Sequence, residues 1–111
     1  MKNTNEFDKG IKFSFNETIQ YADKAVVSKQ ILKQQKGNIT LFAFDKGQEL
    51  TEHKTPFDAL VNIIDGEANI LIDGKSNVIK AGESIIMPAN IPHALKATEK
   101  FKMVLTMIKG D

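Results

Sequence analysis

The chain has 111 residues and a net charge of +1, from 15 basic and 14 acidic side chains. That length supports one domain with a real core and a single small-molecule cavity, and excludes a two-domain cleft. An apolar fraction of 41% with balanced charge excludes a disordered chain, and the absence of cysteine excludes disulfides, thiolate metal centres and a cysteine nucleophile.

Every basic residue is lysine. The guanidinium fork that grips phosphates and reads guanine edges is therefore missing, and nucleic acid is not an expected partner. No run approaches the ~20 apolar residues of a membrane span, and the opening MKNTNEFDKG has no apolar signal core. These features predict a soluble, cytoplasmic protein with no membrane partner.

In chain order, Met1 to Gly10 is polar and expected to fray. From Ile11 to Ala25 the reading is split: Phe13 and Phe15 alternate like a strand, while the segment from Asn16 to Ala25 has room for one helical turn. Strands are then expected over Val26–Leu32, Ile39–Phe44, Ala59–Ile64, Ala68–Ile72, Asn77–Ile79, Ser84–Met87, His93–Ala97 and Phe101–Ile108, with a further one leading into His53. The turns fall at Lys36-Gly37-Asn38, Asp45-Lys46-Gly47, Asp65-Gly66, Asp73-Gly74, Ala81-Gly82 and Pro88 to Pro92. Asp-Gly between apolar runs is a strong hairpin signal. About nine short strands at roughly 8–12-residue spacing predict an all-β sandwich or barrel.

Only two histidines exist, His53 and His93. Their lead-ins are Gly47-Gln48-Glu49-Leu50-Thr51-Glu52-His53 and Gly82-Glu83-Ser84-Ile85-Ile86-Met87-Pro88-Ala89-Asn90-Ile91-Pro92-His93. These segments resemble the two motifs of the cupins, small proteins built on a double-stranded β-helix, or jelly-roll, barrel. Gly47, His53 and Gly66 stand at the first motif's positions; Gly82, Pro88 and His93 stand at the second's. The resemblance implies one cupin domain over residues 1–111. An N-terminal arm over 1–25 would lie at a subunit interface, with the barrel over 39–108. It also implies a homodimer.

The departures fall on the family's metal ligands, three histidines and a glutamate. Thr55 replaces one histidine and Ala59 the glutamate; Asn90 stands for a glycine and Ala97 for the closing asparagine. Strand parity places Glu49, Thr51, His53 and Thr55 on one face, so Glu49 is a candidate third ligand. Two readings stay open. In one, a divalent transition metal (zinc, nickel, iron or manganese) sits weakly on His53 and His93, with a dioxygenase, isomerase or decarboxylase type of activity. In the other, the barrel holds a small molecule, and the two imidazoles are its hydrogen-bonding groups. The expected lining is His53, His93, Thr55, Phe42, Phe44, Ala59, Val61, Met87, Leu95 and Met103, with Ile63, Leu105 and Met107 beside them. A metal-free enzyme with a histidine base would want a tyrosine across the pocket, and the only one, Tyr21, lies outside both motifs. Lys96, Lys100, Lys102 and Lys109 are expected to form a solvated basic face.

Overall fold

The structure, a computed structural model, describes residues 7–110. Its elements are α1 (Phe15–Thr18), β1 (Val26–Gln34), β2 (Gly37–Phe44), β3 (Glu49–His53), β4 (Phe57–Ile72), β5 (Lys75–Lys80), β6 (Ser84–Met87), β7 (His93–Lys96) and β8 (Phe101–Lys109). All pairings are antiparallel: β1, β2, β8, β4 and β6 form one sheet, and β3, β7, β4 and β5 the other. This is the expected all-β jelly-roll, two curled sheets that share β4. Among the described residues, no helix is long and apolar enough to cross a membrane.

One expected hairpin is absent. Asp65-Gly66 does not turn; β4 runs straight through it for 16 residues. Asp65 and Gly66 instead pair with Lys102 and Phe101 of β8, so their backbone groups join the ladder. The register slips by one residue between Ile63 and Asp65, and Gly66 sits at φ 77. This bulge passes β4 from one sheet to the other. A Cβ on Gly66 would overlap the carbonyl oxygen of Lys100, so only glycine fits. Asp73-Gly74, by contrast, is a true two-residue hairpin, with φ of 51° and 78° as a type I′ turn requires. The first turn falls at Gln35-Lys36, one residue early, because Gly37 already pairs with Ile108.

The barrel interior is filled by inward residues of both sheets. Phe44, Ala59, Val61, Ile63, Ala68, Ile70, Met87, Leu95, Ala97, Phe101 and Met103 form one buried cluster, with the Phe44 and Phe101 rings stacked at 4.5 Å. Each large side chain taken out of water there contributes about 1.5–3 kcal/mol.

A second cluster lies on the outer face of the β1-β2-β8-β4-β6 sheet, where Ile19 meets Ile31, Leu41, Ala43 and Val104. Phe7, Ile19 and Tyr21 of the N-terminal arm therefore pack on the chain's own sheet; the arm's first six residues lie outside the described residues. The split between strand and helix resolves as α1, which Ser14 caps by accepting from the Glu17 N–H. Tyr21 donates to Asp65 at 2.5 Å, and Lys100 and Lys102 stand over its ring at 4.8 and 5.3 Å. Burial and the Asp65 carboxylate push the Tyr21 phenol above its ordinary range. Lys102 is thus no part of a solvated basic face: it is 7% exposed and donates to the Asn16 carbonyl at 2.7 Å.

Gly66→Ala and Gly74→Ala both place a side chain at positive φ, yet only the first meets backbone. Gly74→Ala is expected to lose about 1 kcal/mol and Gly66→Ala about 3 kcal/mol or more, read from urea midpoints at unchanged slope.

Candidate functional site

The two histidines are brought together by backbone fastenings at both ends of β3. At its start, the Gly47 N–H donates to the Ala97 carbonyl at 2.8 Å and the Ala97 N–H to the Gln48 carbonyl at 2.9 Å. The first motif's beginning is thereby tied to the second motif's end. Beyond its end, the Asn90 N–H donates to the Thr55 carbonyl at 2.7 Å, and the Ala89 N–H to Asp58 Oδ1 at 2.8 Å. Asn90 takes φ 65, the left-handed conformation its glycine-equivalent position calls for and which asparagine tolerates.

Between these ends, β3 pairs with β7 as Glu49↔Lys96, Leu50↔Leu95 and His53↔His93. The register shifts by one residue between Leu50 and His53, with Thr51 and Glu52 opposite Ala94 alone. Leu95 points into the core, and His93, two residues before it, points the same way. His53 is opposite His93 and shares that side. The bulge breaks the parity that put Glu49 with His53: Glu49 is opposite exposed Lys96, on the outer face. Glu49 is therefore no third ligand in this arrangement.

The imidazole centroids are 4.5 Å apart, with the rings edge to face at 69°. His53 is exposed at the barrel mouth, and its Nδ1 lies 2.8 Å from the Thr51 carbonyl oxygen. A carbonyl only accepts, so Nδ1 donates in this contact. His93 is 4% exposed, and its buried Nδ1 makes no hydrogen bond of good geometry, although the Ile91 carbonyl acts on the ring. Burial is the main cause that lowers the His93 pKa; repulsion from His53 adds to it, and the Ile91 carbonyl works against both.

The other expected lining residues divide. Phe44, Ala59, Val61, Met87, Leu95 and Met103 are at most 2% exposed. They pack in the core cluster inside the barrel. Phe42, Leu105 and Met107 are half-buried and border that core. The Thr55 hydroxyl is engaged by Phe57, accepting from its N–H at 3.2 Å. Ala59, at the family's carboxylate position, is flanked by Met87 and Met107 on the neighbouring strands. Among the described residues, no group of three or more His, Cys, Asp or Glu is placed to hold a metal. Sequence reasoning missed the Thr51 carbonyl, which orients His53; a backbone acceptor leaves no mark in residue identity.

The lowered His93 pKa makes stability depend on pH. The unfolded chain takes up a proton near 6.5, while folded His93 resists it, so in that window the unfolded state binds more protons. Stability from this source is complete above 6.5 and falls as the pH drops toward the lowered value. Melting temperatures measured from pH 8 to 5 should be flat at first and then decline, and His93→Gln should remove the part of the decline that begins at 6.5.

Comparison with known proteins agrees with this architecture. A family model for the cupin domain matches residues 40–109. A Streptococcus pyogenes protein of unknown function is 35% identical, with a TM-score of 0.90 over 100% of this chain and 97% of its own. A cupin 2 conserved barrel domain protein from Leptotrichia buccalis is 44% identical, with a TM-score of 0.86 over 87% of this chain; the match spans 47% of that longer chain. A cupin superfamily protein from Desulfitobacterium hafniense shares the fold at 23% identity and a TM-score of 0.86, covering 93% of this chain and 94% of its own. No curated protein matches the chain. Two motifs in place, a jelly-roll around them and a family match over most of the barrel lead to one assignment: the chain belongs to the cupin family.

Proposed function

We propose that this cupin binds a small organic molecule at the barrel mouth, with His53 and His93 as its polar anchor. The observation that carries this reading is the pair of imidazoles 4.5 Å apart on paired positions of β3 and β7, His53 exposed and His93 buried behind it. The half-buried inward residues beside the core, Phe42, Leu105 and Met107, are apolar. They suit a mainly apolar ligand with one hydrogen-bonding group.

The family's metal centre is a poor fit to these residues. Two imidazoles with Thr55 and Ala59 in the other two places fall short of the three protein ligands that an open catalytic site keeps. One observation favours a metal all the same. A backbone carbonyl that fixes the ring proton, as Thr51 does for His53, is also how ligating imidazoles are held. On that second reading a divalent transition metal binds His53 and His93 weakly, completed by water or ligand.

Thermal shift against a metabolite panel tests the first reading. A ligand at a hundred times its Kd adds about 2.7 kcal/mol to the native state, which raises the melting temperature by several degrees. The shift should disappear in His53→Ala and in His93→Ala. Equal shifts in wild type and both variants would place the site elsewhere. Metal analysis of protein purified without a histidine tag separates the second reading, which requires zinc, nickel, iron or manganese retained by wild type and lost in both variants.

A further inference from the structure

Charge is sorted by face across the two sheets. The carboxylates within the strands are Glu49, Glu52, Asp58, Asp65 and Glu67, and none is on the inner face. Glu49 and Glu52 wall a groove on the outside of the smaller sheet, with Leu71 and Lys96. Asp58 is opposite outward Ile108 and bonded to the Ala89 N–H. Asp65 is bonded to Tyr21 of the arm, which packs outside. Glu67 pairs with Lys80 and precedes inward Ala68.

Lysines, by contrast, occupy both faces. Directly opposed residues of an antiparallel pair share a face, so the register assigns each one. Lys33 is opposite Asn38, which is opposite Met107. Lys109 is opposite Phe57, two residues before inward Ala59. Lys75 is opposite Ile72, which is opposite His93. Met107 and Ile72 pack against the barrel core, so Lys33, Lys75 and Lys109 take inward positions.

All three stand at the mouth. Lys33 and Asn38 are at the tip of the β1–β2 hairpin, Lys75 follows the Asp73-Gly74 turn, and Lys109 ends β8. They are exposed, and no ion pair joins any of them to another of the described residues. Deeper in, the wall becomes apolar row by row. Gln30, Thr40 and Leu105 lie side by side across β1, β2 and β8, and Ser28, Phe42 and Met103 form the row below.

We propose that the ligand of this cupin is a small organic carboxylate, a proposal that rests on the ligand reading given above and names its chemical class. Its apolar body lies over Phe42, Leu105 and Met107, the polar group of that stretch meets His53 and His93, and its carboxylate meets the rim lysines. An anion entering the barrel passes three ammonium groups and no strand carboxylate; a cation meets the reverse. Three unpaired lysines on one rim also repel each other, and an anion among them relieves that repulsion. The net charge of +1 conceals this field, because the balancing strand carboxylates lie outside. Packed sheets stand about 10 Å apart. The histidines on one sheet and Lys33 and Lys109 on the other therefore suit a molecule with its polar group and its carboxylate at opposite ends.

Calorimetric titration of the full chain at low salt tests this with para-hydroxyphenylacetate and hexanoate, each against its own primary amide. The acids should bind at least tenfold more tightly than the amides, and the difference should shrink as salt is added. Lys33→Gln, Lys75→Gln and Lys109→Gln lie at exposed positions that the fold does not need. Each should weaken acid binding about two- to threefold and leave the amides unchanged, and the triple variant should lose the preference. Lys80→Gln, on the outward face of β5, should change nothing. His53→Ala reads the histidine anchor separately: it should weaken para-hydroxyphenylacetate, which carries a hydroxyl, and spare hexanoate, which does not. Amides that bind as tightly as acids keep the ligand reading and overturn this one. Acids that do not bind at millimolar concentration, or a preference for them that survives in the triple variant, overturn it as well.

Discussion

Both sheets depend on one strand. β4 pairs with β8 and β6 in its first half and with β5 and β7 in its second, so the curl of the barrel is the bend of β4 at the Ile64 bulge and Gly66. The bend brings the glycine's α-carbon so close to the Lys100 carbonyl that a methyl group has no room. Everything at the mouth follows from it. Ile72, at the far end of β4, pairs with His93, which pairs with His53, while Ala59, near the other end, pairs with Met87. A single strand thus sets where both sheets present their inward residues.

The same dipeptide shows how far sequence reasoning reaches. Asp65-Gly66 and Asp73-Gly74 look alike and both sit between apolar runs. Only the second is a hairpin, because only there do the flanking segments pair with each other; at the first, β8 supplies the partner. That choice is tertiary and leaves no local trace. Strands bounded by proline or by a turn with its own chemistry, such as Ser84–Met87, were legible to the residue. So was the left-handed Asn90, since asparagine at a glycine position states its own conformation.

The site divides in the same way. His53 and His93 could be paired from their spacing to Gly47, Gly82 and Pro88, and they do lie opposite each other. Glu49 could not be placed, because one extra residue in a strand reverses every side chain before it, and no residue type marks the Thr51–Glu52 bulge. The inward orientation of the buried lining residues was legible, because alternation gives the face a side chain points to but not how much space remains in front of it. Ala59, Val61 and Met103 point inward into packed neighbours.

The arm has a consequence for what counts as the folding unit. The family match begins at residue 40, inside β2, yet Ile19 and Ile31 complete the cluster over Leu41, Ala43 and Val104. β1 also supplies the whole ladder along one edge of β2. A fragment trimmed to the matched segment would carry a raw hydrophobic wall and an unpaired strand edge, the two features that drive chains to aggregate. The matched segment and the packed unit differ here by some thirty residues.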